Sequence, residues 1–220
     1  MQLHMIDSLP VDMRRHEREA CRRGFCFICG IDEAGRGPLA GPVVAAAVVL
    51  PRNVRLPGIT DSKKLTAEQR EGFDAKIRSR ALAVGVGIVD NVEIDRINIL
   101  QATFRAMTEA VAGLKIEPDF LLIDGPYKLP IQKEQKGIPQ GDSLSISIAA
   151  GSIIAKVHRD RLMREYHKAF PEYGFDSHKG YGTARHYEAI RRHGPCPLHR
   201  VSFNGVLQVT ECRIDDEPLS

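Results

Sequence analysis

Two adjacent carboxylates, Asp32 and Glu33, stand at the end of an apolar run from Phe25 to Ile31. A glycine-rich turn with one arginine, Gly35-Arg36-Gly37, follows them, and Val43 to Leu50 is apolar again. Burying an unpaired carboxylate costs several kcal/mol, so acids at the buried end of a strand need compensation. A solvated turn would supply it, and so would a divalent cation. Further on, Phe120-Leu121-Leu122-Ile123 ends in Asp124, a second apolar strand terminated by an acid. Asp142 stands just before a long helical segment, where, taken alone, it reads as a plain N-cap. Brought together, Asp32, Glu33, Asp124 and Asp142 would repel one another unless hard cations such as Mg²⁺ or Mn²⁺ held them. Two such ions about 3.5–4 Å apart can activate water and stabilise the leaving oxygen of a phosphodiester. Asp160 is spaced four residues from Lys156 and Arg164, which points to a helical ion pair instead.

Other residues suit a sugar-phosphate chain. The Gly35-Arg36-Gly37 turn would bring backbone N–H groups and a guanidinium close to it, although glycines are also what a tight strand reversal needs. Lys63, Lys64, Lys179 and Arg185 are candidates for phosphate contacts, or are simply solvated. Tyr181 lies between glycines and could rest against a sugar or base, or pack as a structural aromatic. His178 has no second histidine at ligand spacing and reads as a loop residue touching phosphate. The formal charge of +3 permits a nucleic-acid partner without demanding one. Five cysteines behind a polar, charged start (Met1 to Arg23) argue for reduced thiols and a cytoplasmic setting. Cys26 and Cys29 have C-x-x-C spacing, but residues three apart on a strand face opposite sides, so buried structural thiols are expected. No apolar run approaches the span of a bilayer, so no membrane partner is expected.

The elements that must position these residues follow from period and punctuation. A short amphipathic helix is expected from about Asp12 to Arg23, then strands over Phe25–Asp32 and Val43–Leu50. Thr66 caps a helix running to about Arg80, and Ala81 to Val89 is a third strand whose Gly85 and Gly87 imply close packing. Asn91 opens one long helix to Leu114, with Ile94, Ile97, Leu100, Phe104, Met107 and Val111 as its buried stripe. After the strand ending in Asp124, Tyr127 to Gly141 reads as loop, and a helix runs from Leu144 to about Ala169. Tyr173 to Thr183 is loop, Thr183 caps a helix to about His193, and the acidic tail is frayed. An antiparallel strand pair followed by alternating helices and strands gives an α/β fold with a mixed sheet.

Long segments of the chain resemble bacterial ribonuclease HII. They are Ile31-Asp32-Glu33-Ala34-Gly35-Arg36-Gly37-Pro38-Leu39-Ala40-Gly41-Pro42-Val43, Thr60-Asp61-Ser62-Lys63-Lys64-Leu65, Ile123-Asp124-Gly125, Gly141-Asp142-Ser143, Ala149 to Asp160, and His178-Lys179-Gly180-Tyr181-Gly182-Thr183. The resemblance implies a ribonuclease H-like mixed sheet flanked by helices, with a small C-terminal helical region from about residue 170. Residues 1–24 would be a short helical extension, 25–210 the catalytic domain and 211–220 a flexible tail. It implies Mg²⁺- or Mn²⁺-dependent cleavage of RNA in RNA–DNA hybrids and incision 5′ of single ribonucleotides in duplex DNA, leaving a 3′-hydroxyl and a 5′-phosphate, by a monomer. Asp32, Glu33, Asp124 and Asp142 match the family's metal-binding catalytic acids. Gly35, Arg36 and Gly37 match the turn that reads the ribose 2′-hydroxyl, and Tyr181 the tyrosine that senses the RNA-to-DNA step. Gln140 departs from the lysine that the family often has before Gly-Asp. The residues alone also leave open a different two-metal phosphodiesterase, or a non-catalytic nucleic-acid-binding module.

Overall fold

In the computed structural model, which describes residues 11–207, the central strand β1 (Ile28–Ala34) starts later than its apolar run suggests. The Asp119 carboxylate accepts the amides of Cys26 and Phe27, at 2.7 and 2.9 Å, and so withholds them from a strand ladder. Cys26 is therefore exposed, against the expectation of two buried thiols, while Cys29 on the strand is buried. β1 pairs antiparallel with β2 (Val43–Val49), and β2 antiparallel with β3 (Ala83–Val89). On its other side β1 pairs parallel with β4 (Phe120–Asp124), and β4 parallel with β5 (Glu134–Ile138). The resulting order, β3-β2-β1-β4-β5, is the expected mixed sheet.

β5 lies inside the stretch expected to be loop. Its sequence, Glu-Gln-Lys-Gly-Ile, has no apolar alternation because it is an edge strand that keeps polar side chains toward water. Its Gln135 side chain instead accepts from Leu129 N at 2.7 Å and donates to Leu129 O at 3.0 Å.

Helix α1 (Arg15–Arg22) is tied to the body by Glu17, which accepts from Ser145 Oγ and Ser147 N. α2 (Ala67–Arg80) opens on Thr66 with a reciprocal capping box to Gln69. The single helix expected after Asn91 is two, α3 (Asn91–Ile97) and α4 (Ile99–Ala112). They part at Asn98, whose φ of 67° ends one helix and whose side chain accepts from Leu100 N and Gln101 N to start the next. With ψ at 163° this backbone is one that residues other than glycine rarely adopt, and the two side-chain bonds help to hold it. Asp90, not Asn91, caps α3. α5 (Ile146–Ala169) is the long helix, followed by the one-turn α6 (Phe175–His178), in a stretch expected to be loop, and by α7 (Ala184–His193), capped by Thr183.

α4 and α5 cover opposite faces of the sheet. A Cβ on Gly85 or Gly87 would strike the carbonyl oxygens of Ala110 and Ala106, so those glycines let α4 lie directly on β3. Gly30 does the same for α5, whose Ser147 backbone crosses it. Beyond α5, Leu39 and Ala40 of the β1–β2 turn pack with Met163, Tyr173, Phe175 and Ile190. Backbone bonds reinforce this contact: Leu39 N to Gly180 O at 2.8 Å, Gly41 N to Leu198 O at 2.9 Å, and Arg200 N to Leu39 O at 2.8 Å. The small C-terminal helical region thus lies against the turn that carries the glycines. The tail expected from residue 211 lies outside the described residues.

Candidate active site

The register of the two central strands builds the acid cluster. Pairing between β1 and β4 ends with Ile31 opposite Ile123, so Asp32 and Asp124 follow at the carboxyl ends of neighbouring parallel strands. Ile28, Phe120 and Leu122 share an apolar cluster with Ile148 of α5, and two-residue alternation carries Asp32 and Asp124 to that same face. Asp32 is only 4% exposed, with Ser152 of α5 beside it. Ser152 Oγ in turn lies 2.9 Å from Ser62 Oγ. β1 does not break at Glu33, because its pairing with β2 continues through Glu33–Ala45 and Ala34–Val44. Glu33 has no β4 partner, however, and reaches the cluster from the rim of the sheet, 3.4 Å from Arg36 Nη1.

Asp142 arrives from the far side of β4, in a 3₁₀ turn at Gly141–Ser143. Ser145, not Asp142, caps α5, so the plain N-cap reading fails. Asp142 is 5% exposed, and its Oδ2 lies 3.4 Å from Lys63 Nζ. The Gly141 amide donates to Asp124 Oδ1 at 2.6 Å and fixes this turn to the strand end.

Charge accumulates here. Burial, then the charges of Glu33 and Asp124, push the Asp32 carboxyl well above the usual range. Burial and Asp124 raise Glu33 against the pull of Arg36. Burial, Asp61 and Asp124 raise Asp142 against the pull of Lys63. Carboxylates that resist ionising together form a site that gains most from a bound cation.

Comparison with known proteins decides the family. The sequence profile described as Ribonuclease HII matches residues 29–206. The ribonuclease HII of Syntrophobacter fumaroxidans is 65% identical over 201 residues, covering 91% of this chain and 86% of its own. That of Geobacter sulfurreducens is 58% identical over 217 residues, 97% of this chain and all of its own. The crystal structure of ribonuclease H2 from Pyrococcus horikoshii superposes with a TM-score of 0.73 at 27% identity, covering 86% of this chain and 99% of that one. The chain belongs to the ribonuclease HII family. It is an endonuclease that degrades the RNA of RNA–DNA hybrids and ribonucleotides in DNA, by the divalent-metal-dependent chemistry general to ribonuclease HII.

The residues present fit such a metal. All four candidate acids supply hard oxygen donors, and their mutual repulsion is what a divalent cation relieves. As the side chains stand, no three acids form a closed ligand shell among the described residues. Asp124 spends an oxygen on Gly141 N–H, and Asp142 faces Lys63.

Beside this centre the two elements expected to read the sugar come together. The Gly35-Arg36-Gly37 turn extends directly from β1, and Tyr181 reaches it from the C-terminal region, 46% exposed. A Cβ on Gly37 would lie 3.7 Å from Tyr181 Cε1, with nothing nearer. Gly35 differs, since its φ is 99° and a Cβ there would run into the Arg159 side chain. The fold itself demands glycine at 35; at 37 it does not.

Other expectations resolve individually. Asp160 pairs with Lys156 at 2.7 Å and reaches Arg70 at 4.0 Å, whereas Arg164 turns to Glu71. Lys63 is at the acids, while Lys179 stands near Tyr181 with its Nζ on Asp176 O. Lys64 and Arg185 are exposed. His178 is not aimed outward: Nε2 donates to Tyr173 O at 2.7 Å and Nδ1 accepts from Gly180 N at 3.2 Å, which consumes both nitrogens. Sequence reasoning missed Asp61, Ser62 and Ser152 beside the acids. The Thr60–Leu65 and Ala149–Asp160 segments that hold them stand in the resemblance, but nothing in their residues places these three at the acids.

Two buried arginines were also missed. Arg159 is 1% exposed and donates to Pro42 O, Ala40 O and Lys179 O at 2.9–3.1 Å. Arg200 is fully buried and donates to Gly35 O at 2.6 Å, Arg36 O at 3.0 Å and Gly41 O at 2.8 and 2.9 Å. Neither has a carboxylate at ion-pair distance among the described residues, and burial lowers them to about 10 and about 9. Charge-assisted bonds to carbonyls stand in for the missing anion.

Proposed function

We propose that Asp32, Glu33, Asp124 and Asp142 hold two Mg²⁺ or Mn²⁺ ions and that this centre incises duplex DNA on the 5′ side of a single ribonucleotide. The observation that carries the reading is the β1–β4 register, which sets Asp32 and Asp124 side by side at the sheet's carboxyl end. Bound there, the cations would activate water and stabilise the leaving 3′-oxygen, giving a 3′-hydroxyl and a 5′-phosphate. The protein's own groups do the rest. The Glu33 amide orients Asp32, donating to Oδ1 at 2.7 Å. Gly141 N–H orients Asp124, and Lys63 balances Asp142. The exposed Gly37 lets backbone approach a ribose closely, so that its 2′-hydroxyl is bonded where deoxyribose offers nothing. Arg36, Lys63 and Lys179 contact phosphates, and the Tyr181 ring packs on the sugar after the ribonucleotide.

The enzyme acts as a monomer on hybrids and on ribonucleotide-containing duplexes. It works in the cytoplasm, a setting supported by the free thiols of Cys21, Cys26, Cys29 and Cys196. No helix among the described residues is long and apolar enough to cross a membrane.

The test is incubation with a duplex holding one ribonucleotide, beside an all-DNA control, with and without Mg²⁺. The proposal expects metal-dependent nicking of the first alone, at the 5′ side. Cutting of the all-DNA control would indicate a generic two-metal nuclease, and binding without cutting a non-catalytic module.

A further inference from the structure

His199 and Arg200 are consecutive, fully or almost fully buried, and each leads to a different recognition element. The Arg200 guanidinium holds the carbonyls of Gly35, Arg36 and Gly41, that is, both arms of the glycine turn. His199 leads the other way. Its Nε2 is 3.0 Å from His186 Nε2, and His186 Nδ1 is 3.0 Å from Tyr181 O.

The protons along this path are fixed by their ends. Tyr181 O can only accept, so His186 Nδ1 carries hydrogen and its Nε2, in the neutral ring, is bare. His199 Nε2 must then donate, which leaves its Nδ1 to accept the Cys196 amide at 2.9 Å. Every position is satisfied by two neutral rings, and burial keeps them neutral by lowering both to about 4. His178 stacks on His186 with centroids 4.5 Å apart and takes the Gly180 amide, so the two-residue segment Gly180–Tyr181 is held at its first N–H and its last carbonyl.

The segment carrying both residues is itself anchored from α3. Asn91 Nδ2 donates to Pro197 O at 2.9 Å and to His199 O at 3.0 Å. Asp95, one helical turn on, accepts the amides of Val201 and Ser202 at 2.9 and 3.0 Å. Asp90 fills the cap position of α3, and the Asn91 side chain is turned to this segment instead.

We propose that His199 and Arg200 are positioning residues that set the spacing between the Gly35–Gly37 turn and Tyr181, and thereby the preference for a ribonucleotide embedded in DNA. The inference rests on the reading of Gly37 and Tyr181 as the substrate-reading pair. Neither buried residue touches substrate; each acts through the element it holds. Small misplacements of such elements are costly, with a shift of about 1 Å able to cost on the order of a hundredfold in rate.

The experiment compares kcat/KM on a duplex with one embedded ribonucleotide and on an RNA strand paired with DNA, using the full chain. His199→Asn keeps an acceptor near the place of Nδ1 but has no donor at that of Nε2, whereas His199→Gln carries an N–H near it. Tyr181→Ala is expected to lower the ratio of embedded to hybrid cleavage. His199→Asn should lower it in the same direction, by about tenfold, and His199→Gln should recover most of it. In the Tyr181→Ala background, His199→Asn should change the ratio no further, since both act through one ring. A merely structural histidine would lower thermal stability and leave the ratio alone. If Tyr181→Ala moves the ratio and His199→Asn does not, the inference is overturned while the reading of Tyr181 stands. If Tyr181→Ala leaves the ratio unmoved, both fall together. Should His199→Asn not fold, Arg200→Lys decides: a point charge in place of the fork must lower the ratio, and an unchanged ratio refutes the positioning role.

Discussion

Glycines 35 and 37 separate the demands of the fold from those of the substrate, and alanine at each tests the division. At Gly37 the added methyl would meet Tyr181 Cε1 at 3.7 Å, an ordinary contact, and the backbone is outside the left-handed region. Folding should therefore be unharmed, and the stiffer unfolded chain should add about 0.4–1 kcal/mol of stability. At Gly35 the φ of 99° disfavours any side chain, and a Cβ would also stand 2.7 Å from Pro42 O and inside Arg159. Backbone strain of this kind alone costs about 1–3 kcal/mol, and displacing a buried arginine adds to it. On substrate the order reverses. On the proposed reading of the turn, a methyl at Gly37 would stand between its backbone and the ribose, and losing one such hydrogen bond with its partner left buried costs about 1–3 kcal/mol. At 1.4 kcal/mol per decade that is roughly a five- to hundredfold fall in kcat/KM on an embedded ribonucleotide. Thermal melting and single-ribonucleotide cleavage, run on the same preparations, give both readouts. Gly37→Ala melting at or above wild type with reduced cleavage supports the division. A Gly37→Ala protein with wild-type cleavage would refute it, and so would one that unfolds.

Three further outcomes are expected. With metal chelated, Asp32→Asn should raise the melting temperature at neutral pH. The folded state holds the Asp32 proton above the unfolded value of roughly 3.9, so the charged group removes stability as pH rises from there through its folded pKa. The gain of the variant over wild type should shrink as the pH is lowered toward that value, and a gain independent of pH would contradict the cause assigned. Asp160→Asn should lower thermal stability by breaking the contact with Lys156 while leaving cleavage near normal; a loss matching that of Asp124→Asn would place Asp160 in the chemistry. Lys63→Ala should weaken binding to every duplex alike and reduce the salt-dependence slope by about one, so loss confined to one duplex type would assign it a reading role.

Much of this site is legible in the chain because it follows from local rules. An apolar run that ends in an acid marks a buried strand with a charge at its tip, and Asp32 and Asp124 are found that way. Thr66 and Thr183 announce their helices through the amides they accept. What escapes is what tertiary contacts alone determine. Asn98 breaks a helix without disturbing its apolar stripe, and β5 has no stripe because water covers part of it. Arg159 and Arg200 look like surface cations, since nothing in a sequence marks an arginine whose partners are distant carbonyls. His178, His186 and His199 come together only when the C-terminal region folds back on itself, so no ligand-like spacing links them.

The central claim is that the acids at the ends of β1 and β4 carry out metal-dependent cleavage beside a ribonucleotide. The most direct measurement is single-turnover cleavage of a duplex with one ribonucleotide, at saturating Mg²⁺ and again with Mn²⁺, by wild type and by Asp124→Asn. An amide is a poor ligand for a hard cation, so the variant should fold and bind the duplex yet cut it several orders of magnitude more slowly with either metal. A folded Asp124→Asn protein that turns over at close to the wild-type rate would contradict the account.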